Sequence, residues 1–75
     1  MSENSFVRIE VGFDGGQILS WLVKPGSADA LQKALDAGDT SSLILEAQEG
    51  SIFVALGRVL YAKRFAREGR VGFEV

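Results

Sequence analysis

The sequence predicts an α+β fold: one antiparallel β-sheet of five to six strands with a single short helix, in the order ββαββββ. Three observations lead there. Residues Phe6 to Phe13 alternate, with Val7, Ile9, Val11 and Phe13 on one side and Arg8 and Glu10 on the other, the period of a half-buried strand. Asp14-Gly15-Gly16 then joins this strand to a second apolar segment, Gln17 to Lys24, as a hairpin. Helical spacing appears between Ser27 and Gly38, and the rest of the chain reads as strands and turns.

The register of the hairpin follows from the pairs it creates. A three-residue loop with Gly16 in the left-handed conformation sets Val11 against Leu19, Ile9 against Trp21 and Val7 against Val23. A two-residue turn would set Ile9 against Ser20 and mix polar with apolar on the core face, so the three-residue loop is preferred. In either register Ile18 and Leu22 emerge on the second face, and strand two needs a cover on both sides.

Pro25-Gly26 ends that strand. Ser27 is the expected N-cap of a helix from Ala28 to Ala37, with Asp29 in the first turn and Gly38 as the left-handed stop. Its inner stripe is Ala28, Leu31, Ala34 and Leu35. About ten residues of helix do not hold in water alone, so this one depends on packing against the sheet. A meander follows: Ser42 to Ala47, a turn at Gln48 to Ser51, Ile52 to Leu56, a break at Gly57-Arg58, Val59 to Phe65 with Tyr61 on the face of Val59 and Phe65, a turn at residues 66–69, and a last strand from Arg70 to Val75. Residues 1–5 are expected to be a flexible N-terminus and 6–75 a single domain.

A chain of 75 residues has room for one core, and its burial barely exceeds the ordering cost of about 1.5 kcal/mol per residue. Disulfides or a zinc site would help a domain this small, but the chain has no cysteine and no histidine. Self-association is the remaining route to more burial, and 47% apolar composition agrees with it. The same two absences remove thiolate nucleophiles, imidazole bases and Cys/His metal sites, so no enzyme activity and no cofactor are expected. The polar start is unlike a secretory signal and the apolar runs are too short to span a bilayer, which points to a cytoplasmic protein without a membrane partner.

Each candidate site has a plainer alternative. Gly12, Gly15 and Gly16 resemble a phosphate loop only in composition, because they join two strands rather than a strand and a helix. Glu46 and Glu49 flank a turn and should be solvated, which leaves little scope for acid–base work. Trp21 could stack on a ligand, but opposite Ile9 it reads as core. Charge is uneven: residues 1–57 hold Arg8, Lys24 and Lys33 against eight carboxylates, whereas 58–75 hold Arg58, Lys63, Arg64, Arg67 and Arg70 against Glu68 and Glu74. This basic C-terminal hairpin is a candidate patch for nucleic-acid phosphates. With a net charge of −2 overall, a solvated hairpin that meets acidic surface of its own chain or of a neighbour is favoured.

Two resemblances extend over these segments. Val7-Arg8-Ile9-Glu10-Val11, Leu35-Asp36-Ala37-Gly38-Asp39, Ile52 to Leu56, Val59-Leu60-Tyr61 and the tail Gly69-Arg70-Val71-Gly72-Phe73 resemble a family of small actinobacterial proteins with no assigned activity. The resemblance implies the same path from hairpin through helix to meander. Phe6-Val7 with Ile9, Asp14-Gly15, Leu35-Asp36 with Gly38, and Ile52 with Val54 are similar to the tryptophan-activated RNA-binding attenuation protein family, which implies a cyclic oligomer. The basic residues that contact RNA in that family fall here at Ala34, Phe53 and Ala55, so RNA binding is not carried over.

The functional expectation is a non-enzymatic oligomerising or protein-interaction module. Its candidate interface residues are Ile18, Leu22, Tyr61 and Phe65, and its candidate partners are copies of itself or another protein. The alternative is a small nucleic-acid-binding regulator that uses the basic hairpin.

Overall fold

The computed structural model describes residues 5–65. Strands β1 (Val7–Phe13), β2 (Ile18–Val23), β3 (Ser42–Ala47), β4 (Gly50–Ala55) and β5 (Val59–Arg64) form one antiparallel sheet in the order β4-β3-β2-β1-β5, with helix α1 (Pro25–Asp36) between β2 and β3. The expected α+β class and antiparallel sheet are the observed ones. The strand expected from Arg70 to Val75 lies outside the described residues.

The first hairpin has the anticipated register: Val7 opposite Val23, Ile9 opposite Trp21 and Val11 opposite Leu19. Its loop is Asp14-Gly15-Gly16, closed by the Phe13 N–H donating to the Gln17 carbonyl at 2.8 Å. Gly15 and Gly16 both have φ near +90°, where a side chain would be strained.

Helix α1 starts earlier than the sequence suggested. Pro25 occupies the first helical position, Lys24 is the N-cap without a side-chain bond, and the first turn holds no acid. A proline that ends a strand can also begin a helix, because the first-turn N–H it lacks would have no intrahelical acceptor. Asp29 lies beyond that turn, and Ser27 is freed from capping. Its Oγ instead accepts from the Glu46 N–H at 2.8 Å, tying the helix to β3. Ser27→Ala should therefore cost about 1 kcal/mol by orphaning a strand amide, which thermal unfolding would register; loss of helix content with β3 unaffected would instead indicate a capping role. The C-terminus is as read: Gly38 at φ +72° lets its own N–H reach the Leu35 carbonyl and that of Asp39 reach Ala34, a Schellman closure.

One face of the sheet carries the core. Ile9, Val11, Val23, Leu45 and Val54 are buried there against Ala28 and Leu31 of the helix, with Leu56 from a 3₁₀ turn at Leu56–Arg58. Ala34, Leu35 and Trp21 pack at the margin.

β3 meets β2 only where Val23 opposes Ala47, flanked by Lys24 N–H to the Glu46 carbonyl and Gln48 N–H to the Leu22 carbonyl. The β3–β4 hairpin thus attaches by its turn and runs on past the C-terminal end of β2. Its turn is two residues, Gln48-Glu49, shorter than expected, since Ala47 pairs with Gly50.

β5 departs from the expected alternation. Gly12 opposes Tyr61 but Phe13 opposes Val59, so Leu60 is an extra residue, a β-bulge. Val59 therefore turns to the core side rather than sharing a face with Tyr61.

Candidate functional site

The register fixes what the outer face of the sheet, opposite the helix, presents. Three rows cross strands β5, β1 and β2 in that order: Tyr61, Gly12 and Ile18; then Lys63, Glu10 and Ser20; then Phe65, Arg8 and Leu22. All four candidate interface residues thus stand on this face, in two rows separated by a polar one. Farther on, the β3–β4 hairpin adds the cross-strand pair Ile44 and Phe53 to the same face. These two were not singled out from the sequence, yet at 58% and 75% exposure they are among the barest large apolar side chains of the described residues. Ile18 (57%), Leu22 (40%) and Tyr61 (41%) are exposed as well.

Tyr61 is held in place. Its ring lies over Gly12, where a Cβ would come 2.6 Å from Cζ and 2.8 Å from Cδ2. Its hydroxyl donates to Glu10 Oε2 at 3.0 Å, and this bond to a carboxylate raises the phenol above its ordinary pKa. A raised phenol pKa stabilises the fold below the unfolded-state value and loses that contribution as pH rises through the folded one. Gly12→Ala should swing the ring out, break the bond and return the tyrosine titration toward its ordinary range. Ultraviolet titration reads this group alone, since the chain has one tyrosine; an unchanged midpoint would contradict the contact.

Phe65 closes the last row. Arg8 lies 4.7 Å from its ring centroid and Lys63 Nζ 4.8 Å, two exposed cation–π contacts of about 0.5–1 kcal/mol each. Beside it opens a cleft of about 730 Å³ lined by Phe6, Arg8, Ser20, Trp21, Leu22 and Phe65, with Glu49 from the β3–β4 turn at its rim.

The candidate basic residues do not share one surface. Lys63 is on the outer face. Arg64 is on the helix side, where it pairs with Asp29 at 2.7 Å, and Arg58 in the 3₁₀ turn pairs with Asp14 at 3.3 Å. Arg67 and Arg70 lie outside the described residues. Glu46 is exposed and pairs with Lys24 at 3.4 Å. Glu49 is exposed too, at the turn. Asp39 is held below the usual carboxylate range by the Ser41 N–H at 2.8 Å, then by the Ser41 hydroxyl at 2.7 Å. No helix of the described residues is long and apolar enough to cross a membrane.

No family model, curated protein or solved structure matches this chain. The functional reading therefore stands on the sheet itself.

Proposed function

We propose that this chain is a non-enzymatic oligomerising module that associates with copies of itself through the outer side of its sheet. The observation that carries this reading is the row pattern: Ile18, Leu22 and Tyr61 are exposed on a face that α1 does not cover, because α1 packs on the opposite one. Exposed apolar clusters of this kind mark association surfaces in soluble proteins. Among the described residues no polar or charged residue is buried. The two displaced ionisations, at Tyr61 and Asp39, each arise mainly from a hydrogen bond at the surface. Acid–base catalysis relies on burial and converging charge, so these features support a binding role.

Light scattering across a concentration series tests the reading, which expects a mass of at least two chains at micromolar protein. It also expects no measurable binding to single- or double-stranded nucleic acid at low salt, because Lys63, Arg64 and Arg58 stand on the outer face, the helix side and the 3₁₀ turn rather than on one surface. Tight binding that weakens steeply with added salt would overturn it in favour of a phosphate-binding surface.

A further inference from the structure

Among the described residues the two edges of the sheet are built differently. β5 carries a bulge at Leu60 and the cations Lys63 and Arg64, devices that discourage another strand from adding to an edge. β4, Gly50-Ser51-Ile52-Phe53-Val54-Ala55, has no charge, no proline and an unbroken register with β3. Its six residues leave one row of backbone groups open among the described residues. The Leu56 N–H donates to the Ser41 carbonyl at 2.9 Å. Alternate residues turn their backbone groups to alternate sides, so Val54 and Ile52 face β3 while Ser51, Phe53 and Ala55 face outward.

We propose that β4 is the pairing edge for a second copy of this chain, which adds its own β4 antiparallel about a two-fold axis at Phe53. This rests on the self-association read above and adds to it a contact separate from the outer face. A two-fold perpendicular to the sheet keeps helix side with helix side. Centred on Phe53, it sets Phe53 against the second copy's Phe53, Ile52 against Val54 and Ser51 against Ala55. The core row then continues from one copy into the other, the two exposed rings meet on the outer face flanked by Ile44, and the outward amides of Ser51, Phe53 and Ala55 gain acceptors. Shifting the axis to Ile52 would oppose Phe53 with Ser51 and Val54 with Gly50, which loses apolar pairs. The strand is thus complementary to itself, with no like charges brought together, and this favours a second copy over an unrelated peptide.

Amide hydrogen exchange on the wild-type chain, read by NMR at low and high protein concentration, tests the pairing. The amides of Ser51, Phe53 and Ala55 should exchange about tenfold or more slowly at high concentration than at low. Ser51→Pro deletes one outward N–H and leaves the β3 side of the strand intact. It should stay folded, lower the mass seen by light scattering and abolish the slowing at Phe53 and Ala55. An oligomer whose three edge amides exchange fast at every concentration would overturn β4 pairing while leaving association through the outer face standing. Wild-type mass retained by a folded Ser51→Pro would do the same. A monomeric wild type would overturn both.

Discussion

Replacing Leu45 or Leu31 with alanine is expected to bring the protein to the edge of unfolding at room temperature. Both side chains are buried in the one core cluster, Leu45 on β3 and Leu31 on the helix. Truncating a buried leucine costs about 2–5 kcal/mol through lost transfer energy and the cavity left behind. A domain of this length has roughly 4–11 kcal/mol in all, so the loss is a large fraction of the total. The melting temperature should fall by about 10 °C or more, followed through the single Trp21, which packs at the margin of this core. A fall of only a degree or two in Leu31→Ala would mean that the helix does not close the core.

The second large effect is on association rather than folding. Ile18→Lys and Leu22→Lys place a charge in the apolar rows of the outer face, where the wild-type side chains are exposed in the single chain. The fold of one chain should therefore barely respond, within about 0.5 kcal/mol, while a charge buried between subunits without a partner should weaken association at least about tenfold. Sedimentation should show the variants at a lower mass than the wild type with unchanged circular dichroism. Variants that keep the wild-type mass would remove these rows from the interface. Arg8→Ala should cost little by comparison, since its contact with Phe65 is an exposed one.

How far the sequence revealed this architecture depended on whether one pattern or two could be written on the same residues. The first hairpin was legible because its two possible registers differ in kind: only one keeps Ile9 away from Ser20. The helix start was not, because Pro25 fits equally the end of β2 and the first turn of α1, and Ser27 offered a cap that the chain spends on Glu46. Val59 turns away from the face of Tyr61 because the bulge at Leu60 adds one residue that alternation alone does not reveal. The outward facing of Ile44 and Phe53 is hidden in the sequence for another reason. Leu43-Ile44-Leu45 and Ile52-Phe53-Val54 are continuously apolar, so their period does not say which residue faces out. The two-residue turn at Gln48-Glu49 fixes it by pairing Ile44 with Phe53. Ile18 and Leu22 could be singled out because they break an otherwise one-sided pattern. The basic hairpin was visible as a count of charges, but β5 sends Lys63 and Arg64 to opposite faces, which a count does not show.

Association through the uncovered side of the sheet is the central claim, and mass in solution tests it most directly. Light scattering on the wild-type chain from low to high micromolar concentration should give at least twice the mass of one chain, with a melting temperature that rises with concentration, because subunits that bind only when folded stabilise one another by mass action. One chain's mass throughout, with a melting temperature indifferent to concentration, would contradict the account.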